Sequence, residues 1–277
     1  MTGPRTAVAE PRARFRDLLA AEWMKLWSLR STPWALAVGA LIIIGINVNA
    51  TIADYTNWPR YPEGIRTSYV PSWSIRNAFT DGSGLALMLI TGSIGALTIV
   101  GEYGTGQLRT TFAAVPARRS VVAAKTAVVT AVMVAYGTAV AAFSFWVSQA
   151  ILSGRDIGLS IGYPGALRAV VGSALLAPVC ALVGMGIGAI VRHTAATVVT
   201  LTFVLLLLPS LFNERNHWTA TVLHALPQGA WERLTQLGVP PVHVPYPWTL
   251  TGAWTVYGLW ALVAVVVTVV AVHRRDP

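Results

Sequence analysis

Apolar residues run through this chain in long blocks separated by shorter polar stretches. A helix that crosses a bilayer needs about 20 consecutive, mostly apolar residues. Six blocks approach that length, at roughly 33–53, 84–102, 121–150, 167–191, 195–212 and 251–272. The pattern predicts an all-α membrane protein with six transmembrane helices: a 1–32 N-terminal segment and a 33–277 membrane domain. No short apolar core with a cleavage site opens the chain, so no removable signal peptide is expected. The stretches 54–83 and 213–250 are long and carry Trp58, Tyr61, Trp73, Trp218, Trp231 and Trp248, as interfacial segments do. Within 217–237, Trp218, Val222, Leu223 and Leu226 recur at helical spacing before Pro227, and a second short helix is expected from Trp231 to Leu237. That pair is either a re-entrant hairpin or a surface-lying loop.

Residues 14–30 have a different pattern. At 100° per residue, Phe15, Leu18, Leu19, Trp23, Leu26, Trp27 and Leu29 fall on one half of a helical wheel. Arg14, Asp17, Ala21, Met24 and Lys25 occupy the other half, so the segment predicts an amphipathic helix lying on a membrane surface. Ser31-Thr32-Pro33 is expected to break it, with Thr32 as N-cap of the first span. Glu22 projects into the middle of the apolar half, where an unpaired carboxylate is costly. Two partners suit it: Lys25, three residues on, or a cation from another segment such as Arg109.

Composition narrows the class. The chain has 277 residues, 55% of them hydrophobic and only 11% charged, with a mean hydropathy of +0.59; soluble domains carry roughly 25% charged residues. A soluble enzyme, a disordered tail and a nucleic-acid-binding domain are excluded. The net charge of +9 reflects topology. With both termini in the cytoplasm, the inner segments hold thirteen Lys and Arg and five acids, and the outer ones seven and six. That leaves +8 inside and +1 outside, the asymmetry of an inserted membrane protein. Only two of the 20 basic residues are lysines, Lys25 and Lys125. The single cysteine, Cys180, excludes an internal disulfide and suits a small buried hydrophobe.

The connection at 101–125, GEYGTGQLRTTFAAVPARRSVVAAK, leaves the second span through Glu102 and two glycines and breaks at Pro116. It re-enters past Arg118, Arg119 and Lys125. It predicts a short helix across the cytoplasmic surface, with Leu108, Phe112 and Val115 available for docking; an ordinary inner loop with orienting charges is the alternative. Glu-Tyr-x-x-Gly-x-x-Arg-Thr-Thr at 102–111, then Val115-Pro116-x-Arg118-Arg119 and Lys125, resembles the inner connection of ABC type-2 permeases, the membrane subunits of bacterial ATP-binding-cassette exporters. Glu22-Trp23-x-Lys25-Leu26 followed by Leu29-Arg30-Ser31-Thr32 resembles that family's elbow helix, and six spans extend the likeness over nearly the whole chain. Gly104 departs from the pattern, where relatives often carry a basic residue.

The resemblance implies a multi-pass protein of the bacterial plasma membrane that pairs with a second copy or a sister permease and with two ATPase subunits. The 102–119 segment would be a coupling helix docked on the ATPase, with Glu102, Tyr103, Arg109, Thr110, Arg118 and Arg119 as its working residues. Glu22, Trp23, Lys25 and Arg30 would form the elbow. Met88, Thr91, Gly92 and Gly95 on the second span, with Thr200 and Phe203 on the fifth, would line the translocation path. ATP and magnesium would belong to the partner chain.

The residues themselves agree with a division of labour. No Gly-Lys dipeptide occurs, so the phosphate-cradling Gly-x-x-x-x-Gly-Lys-Ser/Thr loop is impossible here. There is no His-Glu-x-x-His, and the five histidines are scattered along the chain, so no metal site is expected, and no catalytic one. The centres of the spans hold no acid, which favours an amphipathic or apolar cargo (a drug, an antimicrobial peptide or a lipid-like molecule) over a small ion. Gly184-x-x-x-Gly188 and the cluster Gly92, Gly95 and Ala96 predict close helix contacts, for Gly184 and Gly188 within one subunit rather than between two. Pro178 and Pro209 predict kinks. Two rivals remain: a membrane-embedded lipid-modifying enzyme drawing on Glu214, Arg215, His217, His224 and Glu232, or a non-transporting scaffold or immunity protein.

Overall fold

The computed structural model describes residues 14–115, 117–237 and 246–275, and among these it is all-helical. The first helix, α1 (Phe15–Ser28), opens with the Asp17 carboxylate accepting the Arg14 backbone N–H at 3.0 Å. Leu29 then turns extended and α2 (Ser31–Asn57) begins. Thr32 is therefore not the N-cap: its N–H donates to Leu29 at 3.0 Å, and α2 starts two residues earlier than the Thr-Pro signal indicates. Pro33 still lies in the first turn, where a missing N–H costs nothing.

Among the described residues, five helices are long and apolar enough to cross a membrane. They are α2, α4 (Asp81–Thr105), α6 (Arg118–Ser153), α7 (Ala166–Val191) and α12 (Leu250–Arg275). Between them lie α3 (Glu63–Ala78), α5 (Gln107–Ala114), α8 (Thr194–Thr202), α9 (Leu208–Ser210), α10 (His217–His224) and α11 (Pro227–Thr235). The block expected at 195–212 is a shorter apolar helix of 17 residues, Thr194–Ser210, containing a π-helical stretch at Phe203–Leu207. Pro209 lies just beyond it, after Leu208, and cannot donate a helical hydrogen bond, so the extra residue per turn absorbs the disruption. By contrast, α7 continues as helix through the buried Pro178. Helix α3 loses helical dihedrals at Val70 (φ −94°, ψ 128°), because Pro71 forces the residue before it out of the α region.

The two small-residue patches meet each other. A Cβ on Gly184 would overlap the Gly92 carbonyl of α4, and one on Gly95 would overlap the Ala181 carbonyl of α7. Gly188 lies over Ala96 and Val100 of α4. Helix α7 thereby becomes the buried axis of the bundle, with Cys180 among its fully buried residues. Polar side chains fasten α2 to this core. Asn47, 1% exposed, donates to Ser144 of α6 at 3.2 Å and accepts from Thr80, the N-cap of α4. Thr51 pairs with Ser148 at 3.1 Å. Pairing offsets the cost of burying these polar groups, so the contacts favour one register of α2, α4 and α6.

The two ends of the bundle differ. At one end, the Arg192 guanidinium at the close of α7 lies 4.5 Å over the Tyr103 ring and donates to Ala271 of α12; α5 crosses at this end. At the other end the Asp54 carboxylate accepts from Tyr61 and Tyr69, both at 2.7 Å, and from Asn77 at 2.8 Å. The hydrogen bond to Asp54 pushes the Tyr61 phenol up to about 12. Helix α11 wedges into this end: the Trp231 ring lies on Gly84 of α4 and its Nε1 donates to Ser173 of α7 at 3.0 Å.

Gly95→Ala forces α4 and α7 apart and is expected to cost about 1–3 kcal/mol. Thermal unfolding in detergent tests this: the midpoint falls for Gly95→Ala and stays put for Gly45→Ala, where an added Cβ meets nothing within 4 Å.

Candidate functional site

Four charged side chains meet where α1, α4 and α6 come together at the α5 end. Glu22 and Lys25 come from α1, Glu102 from the last turn of α4 and Lys125 from the second turn of α6. Lys25 Nζ lies 2.7 Å from Glu22 and 3.3 Å from Glu102. Lys125 Nζ lies 2.8 Å from Glu102 and also contacts the second oxygen of Glu22. Each cation thus touches both anions, and the group is neutral as a whole. Glu22, Glu102 and Lys125 are 5, 7 and 5% exposed, so this is an interior ion cluster rather than surface decoration.

The chemistry explains the residue types. Both lysines of the chain are in this cluster, while every other cation apart from histidine is an arginine. An ammonium is a compact point charge with three donors and can bridge two carboxylates at once; a planar guanidinium fork cannot replace it in the same space. For Lys25, burial works against the charged form, but the hydrogen bond to Glu22 and the charges of Glu102 and Glu22 outweigh it and hold its pKa above the ordinary 10.5. Its contribution to stability is therefore complete below that ordinary value and fades only as pH rises through the raised one. One acceptor is left over: Glu102 Oε2 is buried with no hydrogen-bond partner among the described residues.

Glu22 has both kinds of partner the sequence allowed, its helix neighbour and a distant cation. The distant cation is Lys125, not Arg109. Leu108 and Phe112, one turn apart, take the inner face of α5, and this turns Arg109 outward with Thr110. The signal missed in the sequence was the scarcity of lysine beside the two inner glutamates. The wheel of α1 also divides more finely than expected: Leu18, Glu22 and Leu26 face the bundle, while Phe15, Trp23, Trp27 and Leu29 stay exposed. Trp23 and Trp27 pack with each other at 5.6 Å, and Arg30 is exposed beyond the helix end.

Helix α5 is tied in at both ends. Gly106 ends α4 with φ +70°, a conformation glycine adopts without penalty, and α5 starts at the next residue. Beyond it, Arg118 at the start of α6 lies 5.4 Å over the Phe112 ring, and Arg119 is exposed. Tyr103 stacks under Arg192, so the connection also touches α7. The outward face of α5 offers Gln107, Arg109, Thr110 and Ala113.

The residues expected to line a translocation path lie apart from the charge cluster. Met88 and Thr91 are fully buried inside the chain, Gly92 is covered by Leu201 and Leu205, and Gly95 by α7. Thr200 is half-buried on α8, and Phe203 is exposed at the start of the π-helical stretch. These six positions are not gathered with the charge cluster. No family model matches the chain, and none of the curated proteins is significantly similar to it.

Breaking a buried ion group by removing one partner costs about 3–5 kcal/mol. Lys125→Met strands two carboxylates and is expected to lower the thermal midpoint strongly in detergent. Lys125→Arg keeps the charge but not the bridging geometry, and its midpoint should fall between wild type and Lys125→Met.

Proposed function

We propose that this chain is the membrane subunit of an ATP-driven exporter of the ABC type-2 permease class, set in a bacterial plasma membrane with both termini in the cytoplasm. The observation that carries this reading is the four-charge cluster, which joins α1 to both flanks of α5. In this reading α1 is the elbow, α5 the coupling helix and Thr194–Ser210 the fifth of six spans. Two such chains, or one with a sister, associate with two ATPase subunits that bring ATP and magnesium. The cargo is amphipathic or apolar.

The mechanism follows from stiffness. ATP binding draws the ATPase subunits together and moves whatever is docked on α5. Because Glu102 and Lys125 flank α5 and share partners with α1, the displacement enters α4 and α6 together rather than being lost in a loose loop. A docked segment that made equal contacts in two states would transmit nothing, so α5 must bind the ATPase differently in each. The open acceptor on Glu102 supports such a change, because an arrangement that fills it recovers the cost of an unmet buried group, about 1–3 kcal/mol.

Arg109 is the cleanest probe, being exposed and outside the charge cluster. In a reconstituted complex with the co-purifying ATPase, Arg109→Ala is expected to leave insertion intact and lower cargo-stimulated ATP hydrolysis about fivefold or more. Undiminished stimulation, or purification with no nucleotide-binding chain attached, removes the assignment.

A further inference from the structure

The end of the bundle opposite α5 contains a cavity of about 590 Å³, within the range of about 300–1,000 Å³ that small-molecule sites occupy. Its walls come from α3, the start of α4, α10, α11 and the approach to α12, with Ile75, Phe79 and Leu223 as apolar surface. Five charged residues line it: Arg76 and Arg233 against Asp81, Glu214 and Glu232. With His224 neutral, the lining carries one net negative charge.

How these charges are already employed decides what the cavity can take. Both guanidiniums are engaged. Arg76 donates to Asp81 at 2.7 Å, and Arg233 donates to the Trp248 carbonyl at 2.9 Å and to Gln236 at 3.3 Å. The other two carboxylates are short of donors. Among the described residues, Glu232 receives one neutral hydrogen bond, from Gln228 at 2.8 Å, and Glu214 meets only His224, at 3.4 Å. Glu232 is exposed on the cavity wall. Desolvation, with Asp81 and Glu214 close by, raises its pKa above the ordinary value, against the Gln228 hydrogen bond and Arg76. Aromatic surface sits beside these acids: the Trp248 ring, stacked on His224 at 4.5 Å, and Trp73 under Arg76. An ion with several N–H donors and an apolar body fits donor-poor carboxylates next to indole faces.

We infer that this cavity is a binding site for a monovalent organic ammonium, with Glu232 and Glu214 accepting the N–H donors and Trp248 and Phe79 flanking the apolar body. The site stands apart from the coupling reading: it lies at the other end of the bundle and binds without an ATPase.

Monodansylcadaverine, a primary amine with an apolar fluorophore, is the probe, and its N-acetyl derivative is the uncharged control. Binding to the detergent-purified full chain is followed by energy transfer from tryptophan. The amine is expected to saturate one site per chain, with the acetylated probe showing only non-saturating uptake. Glu232→Gln should weaken the amine at least about tenfold, as loss of a paired charge does, and Glu63→Gln, away from the cavity, should not. If Glu232→Gln does not elute as folded protein, Glu214→Gln carries the same expectation. Equal binding of both probes, or unchanged affinity in the folded glutamine variant, overturns the assignment.

Discussion

Two glutamates and two lysines sharing one interior site hold the α5 end of this molecule together. Charges removed from water are tolerable only when each is met by its opposite with good geometry, and here every ammonium meets two carboxylates. The cluster therefore works as a constraint on position. α1 cannot roll, α4 cannot slide past α6, and the α5 connection between them cannot drift without separating these paired, largely buried charges. The net gain in stability from such a group is modest; its consequence is that three helices move as one.

The rest of the bundle complements that joint. Glycine-lined contact between α4 and α7 brings the two backbones together, so α7 is coupled to α4 along most of its length. Arg192 links the end of α7 to Tyr103 and to α12 at the same end as the charge cluster. At the far end, Trp231 seats α11 against α4 and α7. A push at α5 therefore has a continuous packed route through α4 and α7 to the walls of the far cavity. A packed route alone transmits nothing without two distinct arrangements, and the unfilled oxygen of Glu102 is the one buried acceptor in the cluster that a second arrangement could use.

Much of the fold was legible in the chain because apolar length and small-residue spacing are local signals. The helix bounds fall within a few residues of the apolar blocks, and the Gly92–Gly95 and Gly184–Gly188 patches pack against each other inside one chain as their composition indicates. Helix α3 was less legible. Polar and apolar residues are mixed along it and Pro71 divides it, so it offers neither a long apolar block nor a continuous periodicity. The site was half legible. Glu22 is conspicuous as an acid on an apolar face, but its distant partner lies 103 residues away and looked like a re-entry charge. Choosing Lys125 over Arg109 required knowing which face of α5 turns inward, and Leu108 and Phe112 reveal that only once α5 is seen packed.

The central claim is that the outward face of α5 is gripped by an ATP-hydrolysing subunit. Cys180 is fully buried, so a thiol introduced at Thr110 stands alone on an accessible surface. The decisive measurement is cross-linking of Thr110→Cys with a short amine- and thiol-reactive reagent in native membranes, followed by mass spectrometry of the adduct. The account predicts one dominant adduct, with a chain carrying a Gly-x-x-x-x-Gly-Lys-Ser/Thr loop. A cysteine at Thr110 that reacts freely with a soluble maleimide yet forms no adduct with such a chain would contradict it.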